Sequence, residues 1–257
     1  MTVNPLKAAA LGLVQGLTEF LPISSSGHLA LAQHLLGFKE PQLFFDVMLH
    51  LGTLIAVLAV FHRDVADLLR GRDMRTLIGI AIGTVPTAII GVGLKGAVEA
   101  AMTNVYLVAG MLAVTGIVLI TSSKLSRGSE GKVSPLKALG IGVAQGLAVM
   151  PGISRSGLTI STGMLIGIRS DEAARFSFLL AIPAILGASA LEMRDATALG
   201  LPLSSLLIGT SAAFISGYAA IKLLLSSLRR GKFQLFGYYC LCVALVAALA
   251  KLLLHRL

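Results

Sequence analysis

The stretch Gln15-Gly-Leu-Thr-Glu19-Phe-Leu-Pro-Ile-Ser24-Ser25-Ser26-Gly27-His28 sets a carboxylate, three serines and an imidazole in a segment otherwise as apolar as lipid. The chain nearly repeats itself further on, as Gln145-Gly-Leu-Ala-Val149-Met-Pro-Gly-Ile-Ser154-Arg155-Ser156-Gly157-Leu158. Ionisable groups at membrane depth are expensive and mark function by default. The two stretches are therefore read as facing halves of one site.

Composition says why depth matters. Hydrophobic residues make up 56% of the 257-residue chain and charged residues 13%, with a mean hydropathy of +0.88. A soluble domain carries about 25% charged residues, so this is an integral membrane protein. The formal charge of +9 does not point to nucleic acid, since no basic run is interleaved with aromatics; it reports topology. Cys240 and Cys242 sit two apart in an apolar run, point about 200° apart on a helix, and are read as packing residues. The short apolar run near the start resembles a signal peptide, but it belongs to the repeated unit and is expected to be retained.

Residues 8 to 18 are uncharged, Glu19 and Pro22 interrupt, and a further apolar run extends from Leu29 to Phe38. Legs of ten or eleven residues reach about 16 Å, half of a roughly 30 Å hydrocarbon core. The economical solution is a re-entrant helix-loop-helix hairpin with its polar tip near the midplane, shielded by other helices. Phe44 to Phe61, Thr76 to Leu94 and Thr103 to Ser123 then read as crossings, and His62 to Arg75 as a charged loop. The second half repeats the plan with a hairpin over Ala138 to Ile168 and crossings near Phe176 to Leu191, Leu203 to Ser226 and Phe233 to Leu249.

The repeat extends beyond the motif: Gly12 and Gly16 match Gly142 and Gly146, Gly37 matches Gly167, and Arg63-Asp64 matches Arg194-Asp195. The predicted fold is all-α, a single membrane domain of two repeats, about 1-127 and 128-257, with six transmembrane helices and two re-entrant hairpins. An odd number of crossings per half inverts the second half, and inverted repeats place their site near the midplane at the repeat interface. The loops over Arg63 to Arg75, Lys124 to Lys137, Arg169 to Arg175 and Arg229 to Lys232 carry thirteen Lys and Arg, against six (Lys7, Lys39, Lys95, Arg194, Lys251, Arg256) on the side of the termini. The positive-inside rule then puts both termini and the first hairpin's mouth outside the cytoplasm.

Each tip ends in Ser-x-Ser-Gly before the chain re-enters a helix. Serine is a favoured N-cap, and a helix N-terminus offers unpaired N–H groups with partial positive charge. Two such ends would cage an anion, most naturally a phosphate, through Ser24, Ser26, Gly27, Ser154, Ser156, Gly157 and Thr159. Arg155 adds a planar guanidinium that matches phosphate oxygens bidentately. Glu19, if ionised, needs Arg155 or a divalent cation beside it, and Gln15, four residues earlier on the same face, offers such an ion a carbonyl oxygen. Ser25 is a candidate nucleophile, and His28 a candidate base, acid or nucleophile. Membrane serines also simply bond the i−4 carbonyl, a reading that stays open for Ser24, Ser26, Ser154 and Ser156. For Asp46, His50 and Glu192, near helix ends, a structural role is read ahead of a functional one. A transporter of a phosphorylated lipid would use the same anion cage, but it needs no pairing of nucleophile with imidazole.

Gln15-x-x-x-Glu19, the following Pro22-x-Ser-Ser-Ser-Gly-His28, and Pro151-Gly-Ile-Ser-Arg-Ser-Gly-Leu-Thr159 resemble the paired signatures of the undecaprenyl-diphosphatase (bacitracin-resistance) family. The resemblance covers essentially the whole chain. It implies a multi-pass phosphatase of the bacterial plasma membrane that converts undecaprenyl diphosphate to the monophosphate and inorganic phosphate, recycling the lipid carrier of cell-wall synthesis. It further implies an outward-facing site, dependence on Mg2+ or Ca2+, and catalytic roles for Glu19, Ser25, His28 and Arg155. Gln15 stands where some members have Glu, so Glu19 must carry more of the metal binding. Oligomeric state, a homodimer included, is left open.

Overall fold

The computed structural model describes residues 3–38, 42–102, 104–126, 128, 131–195 and 201–254. Lys39, Arg127, His255 and Arg256 lie outside them, as do the side chains of Arg194 and Asp195. Twelve helices and no strand appear among the described residues: α1 Pro5–Phe20, α2 Ser25–Leu35, α3 Leu43–Val60, α4 His62–Leu69, α5 Met74–Gly93, α6 Lys95–Met102, α7 Val105–Leu125, α8 Pro135–Leu147, α9 Arg155–Leu165, α10 Ser170–Asp195, α11 Leu203–Arg229 and α12 Gln234–Leu254. Six of them, α3, α5, α7, α10, α11 and α12, are long and apolar enough to cross a membrane. The protein is an all-α integral membrane protein.

The two halves use the same local chemistry. Asn4 caps α1 by accepting the Lys7 N–H at 2.9 Å, and Ser134 caps α8 by accepting the Lys137 N–H at 3.4 Å; each cap precedes a proline, Pro5 or Pro135. Proline suits that position because the first helical N–H has no intrahelical partner anyway. At the far end of each pair, Gly37 and Gly167 take positive φ (82° and 92°), and the next residue donates back across the turn, Phe38 N–H to Gln33 O and Ile168 N–H to Gly163 O, both at 3.0 Å. This is a Schellman ending, which needs a residue tolerant of the left-handed region. The repeat seen in sequence is thus a repeat of caps.

Packing exchanges partners between the halves. α1 lies along α11, and α8 lies along α5. Gly12 and Gly16 sit against the backbone of Gly209, Ala213 and Gly217, while Gly142 and Gly146 sit against Gly83 and Ile90. α7 and α12, the last helices of the two halves, meet through Gly116 and Gly237, each facing the other's carbonyl. α10 runs through the middle: its buried Phe178 packs edge-on against Phe20 of α1, with ring centroids 5.7 Å apart, and against Phe61 at 5.6 Å.

Three boundaries depart from the sequence reading. α1 begins at Pro5, before the apolar run, because the Asn4 cap starts it; at 16 residues it is about 24 Å long, longer than the expected leg. The charged loop after α3 contains α4, whose apolar residues Val65 and Leu68 pack on the core. α10 starts at Ser170 rather than near Phe176, its polar first turn being held by Arg175, which pairs with Glu172 on the same helix and with Asp64 and Asp73 from the other half.

Candidate active site

α1 and α2 form an antiparallel pair. Lys7, at the start of α1, donates from Nζ to the Leu36 carbonyl at the end of α2 at 2.6 Å, satisfying one of the carbonyls that a helix end leaves free. The intervening turn, 21 to 24, places Pro22 against the start of α9, where a Cβ on Gly157 would lie 3.1 Å from the Pro22 Cβ. The two polar stretches of the sequence therefore touch, and Gly157 is the residue that lets them.

Glu19 is the centre of this contact. Its Oε1 accepts from Arg155 Nη2 at 2.6 Å, and its Oε2 accepts from Ser25 Oγ at 2.6 Å and from Gln15 Nε2 at 3.1 Å. Glu19 and Arg155 side chains are 8% and 16% exposed, so the pair is largely out of water, where each charge depends on the other. Two polar atoms beside it are buried without partners, Arg155 Nη1 and Gln15 Oε1. Buried groups are nearly always hydrogen-bonded; an unsatisfied donor and an unsatisfied acceptor on the same carboxylate cluster suit an anion's oxygen and a cation respectively. Among the described residues no group of three or more His, Cys, Asp or Glu side chains converges as a metal site.

The two tips are not equivalent. Ser154 has ordinary backbone angles and caps α9, its Oγ accepting the Gly157 N–H at 3.2 Å. Ser24, expected to cap α2 in the same way, makes no capping bond and takes φ +69°, the one non-glycine residue with positive φ among the described residues. Such a conformation is strained and persists when neighbours over-determine it. Here the neighbour is His28, whose Nδ1 lies 2.8 Å from the Ser24 carbonyl oxygen. Its other nitrogen, Nε2, lies 2.9 Å from the Tyr239 hydroxyl on α12. Sequence reasoning missed Tyr239, since nothing in an apolar helix signals that one phenol reaches a hairpin 211 positions away.

The remaining expected residues divide by exposure. Ser26 is exposed, and Gly27 is open, with only Ser24 Oγ within reach of a Cβ, at 3.9 Å. Ser156 and Thr159 are fully buried; Ser156 Oγ meets Ser154 Oγ at 3.2 Å, while Thr159 Oγ1 donates to the Arg155 carbonyl at 2.7 Å and meets Ser177 of α10. Through Ser177, Thr159 ties α9 to α10. No hydrogen bond joins Ser25 to His28 among the described residues, because the Ser25 hydroxyl is taken by Glu19 and both ring nitrogens of His28 are engaged elsewhere. Gln145, the repeat's counterpart of Gln15, bonds Thr87 and Leu180, and Val149 stands where Glu19 would be. Asp46 accepts from Gln33 Nε2 at 2.7 Å, and its carbonyl oxygen lies 2.8 Å from His50 Nδ1.

Comparison with known proteins follows the same residues. The family model described as "Bacitracin resistance protein BacA" matches residues 8–246. Proteins named undecaprenyl-diphosphatase from Carboxydothermus hydrogenoformans, Desulfosudis oleivorans and Halothermothrix orenii are 43%, 45% and 47% identical to the chain, over 92–93% of its length and 94–95% of theirs. With a family model covering nearly all of the chain and relatives this similar along their whole length, the chain belongs to the bacitracin resistance protein BacA family.

Proposed function

We propose that this membrane protein is a hydrolase that cleaves undecaprenyl diphosphate to undecaprenyl phosphate and inorganic phosphate, returning the lipid carrier to cell-wall synthesis. The observation that carries the reading is the Glu19 carboxylate held between the Ser25 hydroxyl and the Arg155 guanidinium, with Arg155 Nη1 and Gln15 Oε1 unsatisfied beside it. The names of the relatives agree with it.

In this reading the diphosphate enters between the two tips while its prenyl tail stays among the exposed apolar side chains. Arg155 binds a terminal phosphate oxygen through Nη1, and the open edge formed by Ser26 and Gly27 completes the cradle. Ser25 Oγ attacks the terminal phosphorus as Glu19 Oε2 takes its proton; the new O–P bond forms as the bond to undecaprenyl phosphate breaks. Water then attacks the phosphorus of the phosphoserine, His28 accepting its proton; the Ser25 Oγ–P bond breaks, Glu19 Oε2 returns the first proton to Ser25 Oγ, and phosphate leaves. Glu19 with Gln15 Oε1 would hold a Mg2+ or Ca2+ ion, which when bound neutralises charge on the phosphate oxygens. A carrier would need the anion cradle but no hydroxyl bonded to a carboxylate base, so Ser25 on Glu19 favours hydrolysis over transport.

The exchange of packing partners between the halves supports an inverted repeat whose two hairpins enter from opposite faces, and the charge asymmetry of the loops supports an extracytoplasmic position for the termini and the site. Phosphate release from undecaprenyl diphosphate by the purified chain, with and without a chelator, tests the central reading. Release that needs a divalent ion is expected; no release in the presence of either ion would remove it.

A further inference from the structure

The imidazole of His28 is held by two groups, and their chemistry fixes its tautomer. The Ser24 carbonyl can only accept, so Nδ1 carries the hydrogen and donates at 2.8 Å. In the neutral ring Nε2 is then a lone pair, and the Tyr239 hydroxyl at 2.9 Å is the donor. The phenol ring also stacks on the imidazole, centroids 5.9 Å apart and planes inclined by 19°. The Ser24 carbonyl thus sets the proton position, and Tyr239 bonds the remaining lone pair and faces the ring of a residue at the site.

Tyr239 is itself well placed to do this. Its neighbour Cys240 is fully buried and points its thiol at the Pro22 carbonyl, 3.4 Å away. The same contact recurs in the other half, where Thr115 of α7 donates from Oγ1 to the Gly152 carbonyl at 3.1 Å; Pro22 and Gly152 are counterparts in the repeat. Each tip is therefore gripped by the last helix of one half. Thr115 also accepts the Ser154 N–H at 3.1 Å, which keeps that tip in ordinary geometry. At the first tip the backbone of Ser24 is twisted instead, and the grip passes through His28 to Tyr239.

We propose that Tyr239 is a positioning residue for His28, its phenol bonding Nε2 of the tautomer that the Ser24 carbonyl sets and holding the ring in the plane from which Nε2 meets the reacting water. The inference rests on the phosphatase reading for its kinetic consequence and on geometry alone for its spectroscopic one. In the resting site the phenol donates to the Nε2 lone pair; as Nε2 takes the proton of a water poised on the phosphoserine, the hydroxyl turns to accept from the new Nε2–H, and the stacked ring keeps the imidazole from turning.

Tyr239→Phe keeps the stacking and removes the hydroxyl, and Tyr238→Phe, at a neighbouring position that is 48% exposed, serves as control. In purified full-length protein, kcat for phosphate release from undecaprenyl diphosphate is expected to fall about five- to twentyfold in Tyr239→Phe, with KM within about twofold, as befits one hydrogen bond that orients a catalytic group. The control should match wild type. In histidine-15N-labelled protein, the His28 Nε2 resonance, assigned through His28→Gln, should move in Tyr239→Phe and stay in place in Tyr238→Phe. A kcat within about twofold of wild type, a loss expressed in KM instead, or an unmoved Nε2 resonance would each overturn the proposal. Should wild type release no phosphate, the phosphatase reading fails, and the resonance alone decides the link between Tyr239 and His28.

Discussion

Arg155 Nη2 and Glu19 Oε1 are 2.6 Å apart, joining turns separated by 136 positions in the chain. The pair is both a strut between the two tips and the charged centre of the candidate site. These two roles separate by mutation. Arg155→Ala leaves a buried carboxylate without its partner and is expected to cost about 3–5 kcal/mol of stability, read as a lowered unfolding temperature in detergent. The double variant Glu19→Gln/Arg155→Met removes both charges, so it should recover most of that stability while remaining inactive in phosphate release.

Ser25 and His28 are separated by their partners, and their variants should differ accordingly. Ser25→Ala removes the hydroxyl bonded to Glu19, and turnover should drop by at least about 10²-fold if that oxygen is the nucleophile. His28→Ala should allow a burst of undecaprenyl phosphate followed by slow phosphate release, because the first displacement precedes the step that uses the imidazole. Near-normal turnover by Ser25→Ala would exclude the serine route.

Gln15 offers an unpartnered oxygen beside a single carboxylate. Gln15→Glu should lower the Mg2+ or Ca2+ concentration giving half-maximal activity, because it adds a charged oxygen ligand for a hard cation. Gln15→Ala should raise it. Titration of the chelated protein with each ion reads the difference, and an unchanged midpoint in both variants would remove Gln15 from the metal site.

Gly142 and Gly140 lie on the same helix with opposite surroundings. A Cβ on Gly142 would overlap the Gly83 backbone of α5, whereas one on Gly140 meets nothing within 4 Å. Gly142→Ala is expected to destabilise by about 1–3 kcal/mol through overpacking, and Gly140→Ala to stabilise by about 0.5–1 kcal/mol through helix propensity. Thermal unfolding of the two variants tests the α5–α8 packing directly.

Asp73 sits outside the membrane spans, capping α5 through the Thr76 N–H at 3.1 Å and facing Arg175 at 3.4 Å. Burial pushes its carboxyl up, but the bonds from Thr76 and the Arg175 charge outweigh this and hold it below its ordinary value of 3.8. A carboxyl depressed by folding contributes stability that is fully present above the ordinary value and lost as pH falls through the folded one. The unfolding temperature of Asp73→Asn should therefore lie below wild type at neutral pH, and the gap should close as the pH falls below about 4.

Membrane residence, the six spans and the pairing of the two polar stretches were all legible in the chain itself, because hydropathy, helix length and a repeat of caps and glycines are local properties that recur at a fixed offset. Glu19 and Arg155 stood out for the same reason, as charges in apolar surroundings. Other features had no local signal. That Ser25 bonds Glu19 rather than His28, that Gly157 serves as a point of contact, and that Tyr239 reaches His28 all depend on how helices distant in the chain pack. The strain at Ser24 belongs here too: its tripeptide of serines looks like the Ser154 cap, and only the grip of α12 on the neighbouring turn, with His28 pulling on its carbonyl, turns one copy of the motif away from the other. Local periodicity determined the scaffold and its two charges; tertiary packing, which alone brings donors and acceptors from remote helices within 3 Å, decided which atoms of the site are satisfied and which remain open to a ligand.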